Sequence, residues 1–230
     1  MIEQRSDEWF AARAGRLTAS DAALIYTQPK RGSAESTTRK KLILRLALER
    51  ISGPGRPSTF DTPAMQRGRE LEAEGLAAYE AKTGAMLSPV GFVSSHDLLI
   101  GCSPDGAILN NAGEIVGGCE IKCPDPITHD EYRQDYSRLV SAYEAQVAHT
   151  LLVCQSHSTF WDLVSYCPEM PAPLRLVIVR LFPQKASVES VPDPVLYDVD
   201  LAAHELTVRE FLREVDDKEA ALRHAAQEAM

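Results

Sequence analysis

A predicted β-hairpin near the middle of the chain constrains the fold most. The segment GAILN ends at Asn110, which also opens the turn Asn110–Gly113. The segment EIVGGCEIK follows the turn and ends at Lys122. Two strand-forming runs joined by so short a polar turn pair in the antiparallel sense. Helical patterns lie on both sides of this hairpin. The sequence therefore predicts an α/β fold in which helices flank a mixed central β-sheet.

Helices are predicted both before and after the strands. Apolar residues spaced three and four apart predict helices over SDEWFAARAG, TASDAALIY, TTRKKLILRLALERI and residues 63–82, with Gly84 ending the last of these. Ser20 has the position of an N-cap for the second helix. Further strands are predicted for MLSPVGFVSS, LLIGCS, STFWDLVSY and RLVIVRLF, and further helices for residues 137–154 and 200–226.

Length and composition predict one soluble domain of 230 residues, 44% of them hydrophobic and 25% charged. We expect N-terminal helices over residues 1–83, a catalytic core over about 84–183 and a C-terminal helix over about 199–226. No apolar run reaches the length of about 18 residues that a membrane span needs. The N-terminal residues lack the basic-then-apolar pattern of a secretory signal, so we expect a cytoplasmic protein without membrane contact.

The five cysteines are expected to be reduced thiols in the core. Their number is odd, and none are spaced as CxxC pairs. Structural zinc sites usually take their ligands as two close pairs, so such a site is not expected here. The cysteines are Cys102, Cys119, Cys123, Cys154 and Cys167.

Charge is distributed unevenly along the chain. The net charge of −9 argues against a nucleic-acid partner. However, residues 1–50 hold ten Lys and Arg against six Asp and Glu, whereas residues 198–230 hold four against nine. A basic surface and an acidic tail can coexist in one DNA enzyme. The alternative is that both segments are ordinary solvated helix faces.

Two acids and a lysine fall together in the predicted hairpin. Side chains alternate along a strand, so Glu120 and Lys122 share one face while the cysteines beside them face the core. Asp105 opens the partner strand, where pairing can bring its carboxylate close to Glu120. Two adjacent carboxylates repel unless a cation lies between them, and oxygen ligands suit Mg²⁺ or Mn²⁺. The carbonyl of Ile121 could add a further oxygen. Lys122 could orient and deprotonate a water, or stabilise charge on a phosphate.

A third acid, Glu72, lies on the inward face of the helix predicted for residues 63–82. Steps of three and four from Glu72 reach Gly68, Leu76 and Tyr79, whereas Glu70 and Glu74 fall on the outer face. An inward carboxylate is costly unless it is paired or bound to a metal. Glu72 is therefore a candidate ligand. Against the whole assignment stands an ordinary surface cluster of acids and a lysine, because loose patterns of this kind arise by chance.

The spacing PD-x14-E-x-K of Asp105, Glu120 and Lys122 resembles that of the PD-(D/E)xK nuclease superfamily. Five segments, DEWFAARAGRLTASD, RGRELEAEGLAAYEAKTG, IGCSPDG, EIKCP and SAYEAQVAHT, occur in the order found in the phage lambda exonuclease family of recombination nucleases. The resemblance implies a restriction-endonuclease-like core. It also implies Mg²⁺-dependent digestion of one strand of duplex DNA from its 5′ end, which leaves a 3′ single strand.

The resemblance implies roles for individual residues. Asp105, Glu120 and the Ile121 carbonyl would bind metal, with Mn²⁺ as an alternative to Mg²⁺ and two ions per site. Glu72 would complete the acidic cluster, and Lys122 would act on the attacking water. Residues that match the family's 5′-phosphate pocket are Arg13, Ser20, Ser103 and Gln146.

Each of the pocket residues also has an ordinary structural interpretation. Arg13 could be a solvated helix residue, Ser20 an N-cap and Ser103 a turn residue. Gln146 could be a core amide. In addition, many superfamily members carry a Tyr four residues after this glutamine, where the chain has Thr150.

Assembly and partners are implied in the same way. The resemblance implies a homotrimeric ring around double-stranded DNA ends, a single-strand annealing protein as partner, and a phage or prophage protein in a bacterial host cytoplasm. In the loop QPKRGS, Lys30 and Arg31 follow Pro29 and are placed to contact the duplex. The alternatives are an endonuclease or resolvase on the same core, and a DNA-end-binding module without catalysis.

Overall fold

The computed structural model describes residue 4 and residues 6–29, 36–55, 62–154, 160–183 and 195–229. Its helices are α1 (Asp7–Arg13), α2 (Thr37–Ser52), α3 (Pro63–Thr83), α4 (Pro126–Gln134), α5 (Tyr136–Val153) and α6 (Leu201–Glu228), with short 3₁₀ helices at Ala19–Tyr26 and Ala172–Leu174. Its strands are β1 (Leu17–Thr18), β2 (Val93–Ser94), β3 (Ile100–Cys102), β4 (Gly106–Leu109), β5 (Ile115–Lys122), β6 (Trp161–Tyr166), β7 (Leu176–Pro183) and β8 (Val195–Val199).

The strands form two sheets. In a small sheet of order β1-β3-β2, strand β3 runs parallel to β1 and antiparallel to β2. In the five-stranded sheet, β4 to β8 follow chain order, with parallel pairs β5–β6 and β7–β8 and antiparallel pairs elsewhere. A parallel pair needs a long crossover, which α4 and α5 supply between β5 and β6. The predicted mixed α/β fold is confirmed.

The larger sheet has a helix on each face. The apolar cluster on the α5 face includes Leu139, Val147, Leu151, Trp161 and Leu163. The cluster on the α3 face includes Tyr79, Cys119, Ile121, Val164 and Tyr166. A further cluster joins α2, α6 and the small sheet through Leu17, Leu46, Ile100 and Phe211. The five cysteines are buried free thiols, as expected from their spacing.

The structure corrects three local predictions. The segment MLSPVGFVSS contributes only the two-residue strand β2 and one isolated bridge at Ser88, because Pro89 and Gly91 interrupt the run. Ser20 is not an N-cap: its helix is a 3₁₀ helix that begins one residue earlier, at Ala19. Helix α4 was not predicted, although Asp125 caps it and Pro126 opens it.

The acidic C-terminal helix packs against the basic helix α2. Arg39 donates from Nη1 and Nη2 to Glu214, the bond from Nη2 measuring 2.8 Å. Arg50 Nη1 lies 2.6 Å from Asp216 Oδ1. The uneven charge of the sequence is thus partly balanced between these two helices. Within the described ranges, no helix is long and apolar enough to cross a bilayer.

A chain of two buried histidines ties α6 to β1. His149 Nε2 lies 3.1 Å from the Leu17 carbonyl, His204 Nε2 lies 3.3 Å from His149 Nδ1, and Tyr26 Oη lies 2.6 Å from His204 Nδ1. Burial lowers the pKa of both imidazoles and favours their neutral form. A carbonyl can only accept, so a neutral His149 donates from Nε2 and accepts at Nδ1. A neutral His204 then donates from Nε2, and Tyr26 donates to its Nδ1.

Acid is expected to destabilise the fold through these histidines. Burial lowers the pKa of His149 to about 3, with His204 adding to the effect, and burial lowers the pKa of His204 to about 4. In the unfolded chain both titrate near pH ~6.5. Stability is therefore complete above that pH and falls as the pH drops toward 4, by at most about 2 kcal/mol per histidine at pH 5.

Thermal unfolding measured from pH 7.5 to 5 tests this expectation. As the pH falls, the melting temperature of the parent should drop faster than that of His204→Gln. The variant should start from a lower melting temperature at pH 7.5, but it has one buried histidine fewer to titrate. Parallel curves for the two proteins would contradict the assignment.

Candidate active site

The β4–β5 hairpin brings the two predicted metal-binding acids together. Gly106 pairs with Cys119 across the hairpin, so Asp105 stands opposite Glu120. The backbone N–H of Ile121 donates to Asp105 Oδ2 at 2.8 Å. In a strand, the N–H and C=O of one residue point to the same edge. The Ile121 carbonyl therefore points to the edge where Asp105 lies, as its predicted role requires.

Glu72 approaches from the helix on the other face of the sheet. Gly75 of α3 lies so close to β5 that an added Cβ would come within 2.8 Å of the Ile121 side chain. This close approach brings Glu72, one turn earlier in α3, near Asp105. Burial raises the pKa of Asp105 well above its usual range, and the charges of Glu120 and Glu72 raise it further. Both of the other predicted acids thus lie close enough to act on Asp105 electrostatically.

This set of oxygens fits a hard divalent cation. Two facing carboxylates and a carbonyl match the ligands that Mg²⁺ prefers, and bound cations would relieve the repulsion that raises the pKa of Asp105. The described residues do not contain a group of three or more His, Cys, Asp or Glu side chains already arranged around one point as metal ligands. Waters or substrate oxygens would complete the shell, as is usual for Mg²⁺.

Lys122 and Gln146 complete this cluster. Lys122 Nζ donates to Glu120 Oε1 at 2.8 Å and to Gln146 Oε1 at 3.1 Å. The Gln146 amide also donates to Glu120. Burial works to lower the pKa of Lys122, but Glu120 and Asp105 outweigh it, so the pKa lies above its usual value. In this state Lys122 is a cationic donor rather than a base.

A second cluster forms around Arg13, at the end of α1. Arg13 Nη1 lies 3.5 Å from Ser103 Oγ, and Arg13 Nη2 lies 3.4 Å from Ser20 Oγ. The predicted phosphate-binding residues Arg13, Ser20 and Ser103 are therefore neighbours. Both serine hydroxyls lie within hydrogen-bond reach of the Arg13 guanidinium. Gln146, predicted for the same pocket, instead has its side-chain bonds to Glu120 and Lys122.

Three residues of this pocket were not predicted. Trp9 donates from Nε1 to Ser103 Oγ at 3.0 Å, and its ring lies 4.1 Å from the Arg13 guanidinium carbon. Thr18 Oγ1 accepts from Arg13 Nη2 at 3.3 Å. Asp21 accepts from Thr18 at 3.1 Å. The segment DEWFAARAGRLTASD contains all three residues: Trp9, Thr18 and Asp21. A sequence motif does not show which of its side chains contact one another. Burial lowers the pKa of Arg13, and Asp21 opposes that effect.

The two clusters lie at the two ends of one short segment. Ser103 belongs to the Arg13 cluster and Asp105 to the acidic one, and two residues apart means Cα atoms within about 7 Å. Strand β3 fixes this segment on one side and β4 on the other. Lys30 and Arg31, predicted to contact DNA, lie outside the described residues.

Solved structures share this architecture over almost the whole chain. An alkaline exonuclease, LHK-Exo, from Laribacter hongkongensis matches with 27% identity and a TM-score of 0.76 over 98% of this chain and 100% of its own. A structure of LHK-Exo in complex with dAMP matches with 28% identity and a TM-score of 0.75 over the same shares. A phage-related exonuclease from Haemophilus somnus 129PT matches in fold, with 14% identity and a TM-score of 0.61 over 90% of this chain and 96% of its own.

Sequence comparison gives the family. A comparison with curated protein sequences found no significant match. The sequence model described as the YqaJ-like viral recombinase domain matches residues 8–157, which include both clusters. Together with the likeness to LHK-Exo, this match confirms the resemblance to the phage lambda exonuclease family. The chain belongs to the YqaJ-like viral recombinase family.

Proposed function

We propose that the protein is a Mg²⁺-dependent 5′→3′ exonuclease on double-stranded DNA. It digests the 5′-phosphorylated strand to mononucleotides and leaves a 3′ single strand for recombination by annealing. Membership of a viral recombinase family and whole-length likeness to an alkaline exonuclease support a DNA exonuclease as the reaction class. The observation that carries the finer proposal is the adjacency of the donor cluster at Arg13 to the cluster of Asp105, Glu120 and Lys122.

Binding of the 5′ end begins the reaction. Arg13 presents a planar fork of donors, and Ser20 and Ser103 add hydroxyl donors, so this pocket suits a terminal phosphate. A pocket for a terminal phosphate is useful only at a strand end, which favours an exonuclease over an endonuclease. With the terminal phosphate held there, the next phosphodiester lies toward Asp105 along the Ser103–Asp105 segment.

The acidic cluster performs the hydrolysis. Asp105, Glu120 and the Ile121 carbonyl would hold Mg²⁺, with Glu72 binding a second ion or a water; Mn²⁺ has the same ligand preference. When bound, the metal supplies Lewis-acid polarisation of the phosphate and a more acidic water. Lys122, charged in this state, would orient the attacking water and donate to the charge that develops on the scissile phosphate. Gln146 hydrogen-bonds to both Lys122 and Glu120 and so holds the two side chains in position.

A product of this reaction is a nucleoside 5′-monophosphate. The structure of LHK-Exo in complex with dAMP contains a molecule of that chemical class. The same class of product is proposed for this chain, in which release would free the Arg13 pocket for the newly exposed 5′ phosphate.

Release of nucleotides from linear duplex DNA tests the proposal. With a 5′-phosphorylated strand labelled at its 5′ end, Mg²⁺ should release labelled mononucleotide at the first step, and EDTA should stop release. A label at the 3′ end of the same strand should appear last. Early release of the 3′ label would contradict the direction. Cutting of a covalently closed circle would instead point to an endonuclease, and DNA binding without cleavage to a non-catalytic module.

The proposal extends to assembly and partners, on the same resemblance. We propose a homotrimer that encircles the duplex, a single-strand annealing protein as partner, and action in the cytoplasm of a bacterial host. A ring explains how a chain of net charge −9 stays on a polyanion. Light scattering should give three times the chain mass of 25.3 kDa. A monomeric mass would contradict the proposed ring.

A further inference from the structure

Asp21 determines the direction of the hydrogen bonds around Arg13. Its Oδ2 accepts from the Thr18 hydroxyl at 3.1 Å. A hydroxyl has one proton, so Thr18 must accept from its other neighbours, Arg13 Nη2 at 3.3 Å and Ser20 Oγ at 3.2 Å. Thr18 is 3% exposed, which leaves its hydroxyl little access to water as an alternative partner. The Asp21 carboxylate thereby makes Thr18 an acceptor facing the guanidinium.

Arg45 of α2 holds this carboxylate and balances its charge. Arg45 Nη2 lies 2.6 Å from Asp21 Oδ2, the same oxygen that Thr18 reaches. Without Arg45, the negative charge of Asp21 would cancel much of the positive charge that Arg13 offers to an anion. Arg45 also lies 3.9 Å from Glu49 through Nη1, so these four side chains together carry no net charge. Arg45 thus offsets the charge of Asp21 next to Arg13, while Asp21 keeps its role in orienting Thr18.

We infer that Asp21 is a positioning residue for 5′-phosphate recognition, acting on Arg13 through Thr18, with Arg45 as its counterion. This inference rests on the proposed function, because it names how the end-binding pocket is kept in shape. Thr18 fixes one amino group of the guanidinium, which leaves the Nη1 side and the serine hydroxyls for the ligand. Ser20 can turn its proton to a phosphate oxygen while Thr18 keeps its bonds to Arg13 and Asp21.

The test compares kcat/KM on duplexes that carry a 5′ phosphate or a 5′ hydroxyl. Asp21→Asn and Thr18→Val should each lower the ratio of the two values about tenfold, as expected for one charge-assisted hydrogen bond. The loss should lie in KM for the phosphorylated duplex, with kcat retained. Thr18→Ser keeps the hydroxyl and should keep the ratio. The double variant should be no worse than either single one, because both break the same chain.

A matched control is available on α6. Asp216 is also ion-paired to an arginine of α2, but through Arg50, and Asp216→Asn should keep the parental ratio. A purely structural effect of Asp21→Asn would lower both values of kcat/KM together and leave the ratio unchanged, which would overturn the inference. So would losses that multiply in the double variant. A parent that digests both ends equally would overturn the proposed end recognition as well, so the two failures are distinguishable.

Discussion

Asp105→Ala and Glu120→Ala are each expected to reduce nucleotide release by at least about a thousandfold while the protein stays folded. Each removes a carboxylate from a pair that stands face to face across the hairpin. Backbone pairing of β4 with β5 holds the hairpin together, and Asp105→Ala removes one further hydrogen bond, from the Ile121 N–H. Release from a labelled duplex measures activity, and circular dichroism measures folding. Near-normal digestion by either variant would contradict the metal assignment.

Lys122→Ala separates metal binding from chemistry. It should lose activity to a similar extent and yet keep Mg²⁺ binding, as measured by calorimetry, because the two carboxylates remain.

For Glu72, the matched pair is Glu72→Ala and Glu70→Ala on the same helix. Glu70 is exposed and accepts from Gln66, away from the cluster. Only Glu72→Ala should lose activity. Equal activity of the two variants would contradict a role for Glu72 in the site.

Arg13→Ala is expected to erase the preference for a 5′-phosphorylated end. The parent should digest a phosphorylated duplex much faster than a 5′-hydroxyl one, by about 10- to 100-fold if the guanidinium contributes as hydrogen bonds to charged groups do. The variant should digest both at the rate the parent shows on the hydroxyl end. Single-turnover rates on the two duplexes give the measurement.

A surface arginine provides the control for this variant. Arg209 on α6 is exposed and paired with Glu205, so Arg209→Ala should keep the full preference. If the unmodified protein shows equal rates on both ends, the pocket has been misinterpreted. If Arg13→Ala slows both ends alike, the residue supports the fold rather than the phosphate.

The acidic site could be predicted from the sequence because its parts are local. Alternation along β5 places Glu120 and Lys122 on one face, and the turn at Asn110–Gly113 pairs β4 with β5. A bulge at Ile108–Leu109, which the sequence did not predict, then shifts the register by one residue and brings Asp105 opposite Glu120. The inward position of Glu72 follows from helical spacing in the same way. These rules use neighbours along one strand, one turn or one helix.

The phosphate pocket could not be derived in this way. It depends on parallel pairing of Leu17 with Ile100, which brings α1 beside Ser103. Such long-range pairing leaves no periodic signal, so only the resemblance pointed to Arg13, Ser20 and Ser103. Thr18 and Asp21 were missed because a threonine before a helix and an aspartate in its first turn are ordinary residues at a helix start. Gln146 was placed by resemblance in the phosphate pocket, whereas its contacts lie with Lys122.

The difference in chain distance between the two clusters has a consequence for partly unfolded molecules. The bond from Ile121 to Asp105 spans 16 residues, whereas that from Arg13 to Ser103 spans 90. Closing the longer loop costs more entropy, and its contacts rest on strands of two and three residues. Local opening at β1 would therefore release the arginine while the hairpin stays paired. A molecule in that state would keep the proposed catalytic residues and lack the proposed end-binding ones, so the proposed preference for DNA ends would depend on the stability of the smaller sheet.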